Sequence, residues 1–117
     1  MAKFALLLHH APNRYTDLTE DEFMGIMKDY ISWVEQASAE GIYAGGDKLS
    51  AARAVQVTSG VSGIDIHDSP MTELTEILGG VMFIVAKDFD GAIEIAKGHP
   101  HLVHNSKIEI RQIEGED

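Results

Sequence analysis

The amino-acid sequence predicts an α+β fold on an antiparallel sheet, in the order β-α-β, an added hairpin, then β-α-β. Three observations carry that expectation. A long amphipathic helix opens on a capping box. Two short runs are apolar at every position instead of at alternate ones. Alternating segments separated by turn residues fill the middle of the chain and its end.

Lys3 to Leu8 is the first apolar run and reads as a strand. Ala11 to Leu18 holds Pro12, Asn13 and Asp17 and reads as a loop. Thr19-Glu20-Asp21-Glu22 is a capping box: the Thr19 hydroxyl accepts from the Glu22 N–H, and the Glu22 carboxylate reaches back to the Thr19 N–H. Acidic residues in this first turn also suit the helix dipole. Beyond it, Phe23, Ile26, Met27, Tyr30, Ile31, Val34 and Ala37 form one apolar stripe at helical spacing. Gly41 is a natural stop. The helix is expected over about Glu20 to Glu40, with its methionines and aromatic residues in the core.

Ile42 to Leu49 reads as a strand weakened by Gly45-Gly46. Ala54 to Thr58 and Ile64 to His67 alternate, and the segment from Ser59 to Gly63 turns between them, so they form a hairpin. Asp68 to Leu78 is expected to turn at Ser69-Pro70 and to hold a helical turn before Gly79-Gly80. Val81 to Ala86 is the second continuous apolar strand. Asp88 is a good N-cap for a short helix that buries Phe89, Ala92, Ile93 and Ala96 and stops at Gly98. Ile108 to Arg111 alternates as the last strand. This is the split βαβ pattern of ferredoxin-like folds, on one domain spanning residues 1–117.

The two continuous runs bear on assembly. In a ferredoxin-like sheet these strands lie in the middle, and two helices cover only one face. Strands apolar front and back imply a second cover. The same face of a second copy buries both surfaces symmetrically, closing a dimeric α+β barrel. The competing expectation is that the hairpin folds over that face within one chain.

Composition narrows the partners. Nineteen acidic side chains against nine basic ones give a formal net charge of −10. Such a surface repels phosphate backbones and acidic membranes, so neither nucleic acid nor a membrane is expected as a partner. The chain has no cysteine, which removes thiolate chemistry and fits a cytoplasmic location. The opening apolar run is too short for a signal peptide, and no stretch is long enough to span a bilayer.

His67-Asp68-Ser69-Pro70-Met71-Thr72-Glu73, followed by Glu76-Ile77-Leu78-Gly79-Gly80 and an apolar strand, resembles the signature of DGPF-type proteins in the YCII-related family. There an Asp-Gly-Pro-Phe turn and a nearby Glu precede Leu-Gly-Gly. The segment from Asp90 to Pro100 and the strand Ile108 to Arg111 are similar as well. The resemblance spans nearly the whole chain and implies the dimeric α+β barrel. Two departures stand out: Ser69 and Met71 replace Gly and Phe. A His–Asp pair suspected of catalysis in some shorter relatives is not matched, because no His lies between His10 and His67 and His99 precedes Pro100.

Among candidate site residues, Asp68 comes first: a carboxylate at a strand end either caps the following N–H groups or serves as a general base. Glu73 would share its cleft. His9 and His10 leave the first strand on opposite faces, so only one enters a given cavity; His9 is taken as the partner of Asp68. His99, His101 and His104 cluster after the second helix at a spacing loose for a metal, and no metal is assigned. Arg111, Arg53 and His99 are candidate binding residues. Arg14 and Lys3 also stand near strand ends, and in so acidic a chain an enclosed cation would draw an anionic ligand. Together these predict a small-molecule enzyme using acid/base chemistry without a cofactor. Relatives by fold include lyases, isomerases and monooxygenases. The alternative is a non-catalytic ligand-binding or regulatory module.

Overall fold

The computed structural model describes residues 1–69, 74–102 and 106–115. Six strands and two helices follow in the order β1 (Ala2–His10), α1 (Glu20–Ala39), β2 (Tyr43–Lys48), β3 (Ala54–Gly60), β4 (Gly63–Ser69), β5 (Ile77–Ala86), α2 (Phe89–Lys97) and β6 (Ser106–Gln112). Four of the strands form an antiparallel sheet ordered β2-β5-β1-β6, and β3 pairs only with β4. The two continuously apolar runs are thus the central strands, in the ferredoxin-like arrangement. The sheet is open, not closed into a barrel within one chain.

The helix ends follow from the sequence. The Thr19 hydroxyl accepts from Glu22 N–H and the Glu22 carboxylate accepts from Thr19 N–H, each at 3.1 Å. Gly41 adopts φ 74°, and the N–H groups of Gly41 and Ile42 donate to Ser38 and Ala37 carbonyls, a Schellman closure that only glycine enters without strain. Asp88 caps α2 by accepting from Gly91 N–H at 2.8 Å.

Strand alternation divides the sheet into unlike faces. Phe4, Leu6, Leu8, Ile84, Ala86 and Ala92 make the core, with Trp33, Ile95, Ile108 and Ile110 packed against it. Both helices cover this face, and Phe89 meets Phe4 edge-on at 5.0 Å. The register puts Ala5 beside Phe83, Leu7 beside Val81 and Lys3 beside Val85 on the other face, which no element covers among the described residues.

Several boundaries and faces differ from expectation. β5 begins at Ile77, not Val81, because Gly79-Gly80 is not a break: Leu78 pairs with His9 and Gly80 with Leu8, leaving Gly79 as a bulge. The hairpin strands extend until Gly60 pairs with Gly63, so the connection is two residues long. On α1, Trp33 is half-buried whereas Ile31 and Met24 are exposed; on α2, Ile93 is exposed. The apolar stripes are therefore narrower and slightly rotated. The turn expected at Pro70 lies outside the described residues.

The β3–β4 hairpin is an arm. One of its faces carries Val55, Val57, Ile64 and Ile66, which are 44%, 66%, 69% and 71% exposed. It does not fold across the open sheet face. The chain accordingly measures 49 × 43 × 19 Å, with a radius of gyration of 16.4 Å, against about 13 Å for a compact domain of this length.

Candidate functional site

Under the helices, at the end of the sheet where β1 leaves it, lies a cavity of about 260 Å³. β1 supplies Leu8 and His10, the following loop Arg14 and Tyr15, α1 Met27 and Tyr30, and the turn after α2 His101. Gly79 and Gly80 of β5 form part of its floor, and Asp47 and Lys48 of β2 also border it.

The bulge explains how His10 reaches this space. A Cβ on Gly79 would collide with the His10 ring, 2.5 Å from Cδ2 and closer still to Nε2. Glycine at this position leaves the volume that the imidazole occupies, and the bulge re-aims the strand end toward it. Gly46 has a related role, since a Cβ there would stand 2.7 Å from the Val81 carbonyl oxygen. The His10 Nδ1–H donates to the Ala11 carbonyl at 2.7 Å. In the neutral ring this leaves the lone pair on Nε2.

Beside His10 is a closed polar cluster. Three successive tight turns, closed by Arg14 N to Ala11 O, Thr16 N to Asn13 O and Leu18 N to Tyr15 O, fold the loop and carry Arg14 inward, where it is 8% exposed. Its Nη1 donates to His101 Nδ1 at 2.9 Å, and its Nη2 to Tyr30 Oη at 3.2 Å and to the His101 carbonyl at 3.1 Å. Tyr30 Oη–H, 2.8 Å from His101 Nδ1, shares that nitrogen's single lone pair with Arg14, and His101 Nε2–H donates to the His9 carbonyl at 2.8 Å. His101 is therefore the neutral Nε2–H tautomer. The ring of Tyr15 lies against the guanidinium, 4.9 Å from its carbon. Arg14 Nε is buried without a hydrogen-bond partner among the described residues.

His99 braces this cluster from below. Its Nδ1 accepts from His101 N–H at 2.9 Å, its Nε2–H points at Met82 Sδ at 3.1 Å, and its ring lies against Trp33, tilted by 53° with centroids 4.3 Å apart. Burial, with the neighbouring His101 and Arg14, holds the His99 pKa down at about 4. Burial likewise brings His101 to about 4, against the pull of its backbone acceptor, with Arg14 lowering it further. Burial pushes the Tyr30 phenol up to about 12, against Arg14. Around neutral pH, Arg14 is thus a cation held by uncharged groups.

The sequence candidates are dispersed. His9 points to the open face, its Nε2 3.2 Å from Glu109 Oε1 and its Nδ1 3.5 Å from Glu76 Oε1. Asp68 lies on the arm, where its Oδ2 accepts from Arg53 Nε at 3.0 Å and Nη2 at 2.8 Å. Arg111 is on the open face, 3.9 Å from Glu109. The structure brings neither Asp68 nor Arg53 to His9, and none of these borders the cavity. Glu73 lies outside the described residues, as does His104 of the histidine cluster. Both nitrogens of His99 and of His101 are already hydrogen-bonded.

His10, Tyr30 and His101 were not foreseen as a site. One signal for His10 was available: it shares strand parity with Phe4, Leu6 and Leu8, the bulky residues that mark the covered face. Tyr30 sits at core spacing on α1, and nothing local distinguishes it.

No helix among the described residues is long and apolar enough to cross a membrane. No curated protein matches the chain. The model of the YCII-related domain matches residues 2–115, nearly the whole length, and the chain belongs to the YCII-related family.

Proposed function

We propose that the protein is a small-molecule enzyme that moves a proton in the cavity beneath α1, using its own side chains, with His10 as the base. The observation that carries this reading is the placement of His10 Nε2. The Ala11 carbonyl fixes the tautomer, the Gly79 bulge makes room for the ring, and His10 borders a half-open space walled by Leu8, Met27 and Met82. A base so placed takes a proton from a carbon or oxygen acid bound against it. Negative charge then developing on the substrate is stabilised by the Arg14 cation, whose burial makes it worth more than in water. Tyr30 and His101 orient Arg14.

The working unit is proposed to be a homodimer. Leu7, Val81, Phe83 and Val85, each half-buried, form an apolar patch around the buried Ala5 on the uncovered face, and the same patch on a second copy is its simplest cover. The cavity lies on the opposite side, under the helices, and stays open in such an assembly.

The experiment is solvent deuterium exchange, followed by proton NMR across a panel of small carbonyl compounds. The wild-type chain should exchange at least one compound faster than buffer. His10→Gln should abolish that exchange, and Gly79→Ala should reduce it by displacing the ring. Exchange that persists in folded His10→Gln would remove His10 as the base. If the wild-type chain binds panel members and exchanges none, the reading of a non-catalytic binding module replaces this one.

A further inference from the structure

We infer that the ligand of this cavity is a small organic anion, a carboxylate on an apolar body, whose charge is taken up by Arg14. The inference rests on the cavity being the working site, but not on His10 acting as a base.

Arg14 is 8% exposed, and no carboxylate among the described residues pairs with it. Burying an unpaired cation is unfavourable unless something compensates it. Its acceptors here are an imidazole, a phenol and a carbonyl, all neutral, with the face of Tyr15 as partial help.

Structural need does not account for the residue. Each of its acceptors keeps another tie without it. His101 Nδ1 still accepts from Tyr30, the His101 carbonyl still accepts from Ser106 Oγ, and Tyr30 still donates to His101. Removing the guanidinium would strand no buried acceptor, yet the loop from Ala11 to Leu18 is wound through three turns to bring it in. The buried Nε–H has no acceptor among the described residues. A cation kept at an energetic disadvantage beside a cavity is the feature expected of an anion site.

The rest of the cavity sets the class. Leu8, Met27 and Met82 offer apolar walls, and a volume of about 260 Å³ is at the small end for ligand pockets. Asp47 and Lys48 border the cavity together and offset one another, so the one charge left to match is that of Arg14, and a single carboxylate matches it.

The test uses acetate, propionate and benzoate, each against its neutral amide, titrated near pH 7 and followed by amide NMR shifts. At least one carboxylate should bind, shifting Leu8, Gly79, Gly80 and His101, and should bind roughly tenfold or more tighter than its amide. Arg14→Met should keep a melting temperature within roughly 5 °C of wild type and lose that preference. Equal affinity for acid and amide, an unchanged preference in Arg14→Met, or no binding of any of the three acids would overturn the inference. Should Arg14→Met fail to fold, the acid-against-amide comparison on the wild-type chain still decides. Carboxylate binding through Arg14 without deuterium exchange would sustain the anion site and defeat the proton-transfer reading alone.

Discussion

The two faces of the four-stranded sheet are built from alternate residues of the same strands, yet they end in opposite conditions. On the covered face, Phe4, Leu6 and Ile84 are fully buried, and the helices close over them except at the end where the cavity opens. On the other face, Leu7, Val81, Phe83 and Val85 are half-buried only by their neighbours in the sheet. The covered face has spent its apolar surface within the chain and keeps its buried charge at the site. The open face has apolar residues at its centre and charges at one side, where His9, Glu76, Lys107 and Glu109 meet. The proposed chemistry belongs to the first face and the proposed association to the second.

The largest expected effect separates these roles directly. Phe4→Ala removes a fully buried ring and should destabilise the chain by about 3–5 kcal/mol whatever its concentration. Phe83→Ala on the open face should cost only about 1 kcal/mol in an isolated chain. In a dimer it should instead lower the association constant and make the melting temperature fall with dilution. Sedimentation of the wild type at micromolar concentration should give twice the 12.8 kDa chain mass. A lone chain at that concentration, with Phe83→Ala silent, would break the comparison.

The next effect is set by pH. The folded-state pKa values of His99 and His101 lie at about 4, below the ordinary value of 6.5. The unfolded chain therefore binds more protons between those limits, and stability rises with pH there. The stabilisation is complete above about pH 6.5 and is lost as the pH falls toward 4, by on the order of 3 kcal/mol for each ring. Denaturant midpoints measured at pH 7, 6, 5 and 4.5 should decline steadily. A flat profile would mean that the rings under α1 are hydrated.

The smallest effect belongs to the arm. Asp68→Asn weakens an exposed ion pair with Arg53 and should change stability by no more than roughly 0.5 kcal/mol. Deuterium exchange in the cavity should be untouched. Loss of exchange in that variant would bring Asp68 back as a catalytic group.

The fold was largely legible because its signals are local or periodic. The capping box at Thr19, the stop at Gly41 and the doubly apolar runs of β1 and β5 each report a nearby constraint. The misread boundaries share one cause. Gly60, Gly63, Gly79 and Gly80 look like breaks in a sequence, but a pairing partner turns such glycines into strand residues or a bulge. The site was mostly illegible because it is made of distant contacts. Arg14 meets His101 across 87 positions, and Tyr30 becomes polar in function only because those two arrive beside it. The resemblance drew attention to Asp68, while the Gly79 of the same motif makes room for the His10 ring.

The central claim is that Arg14 stands as a cation among neutral partners beside the cavity. The most direct measurement is nitrogen-15 NMR of the histidine rings, assigned and followed from pH 7 down to 5. The account predicts that His99 and His101 remain Nε2–H tautomers with unprotonated Nδ1 throughout that range, as their pKa values of about 4 require. Protonation of either ring by about pH 6 would contradict it, for the cluster would then be solvated and the charge of Arg14 would call for no ligand.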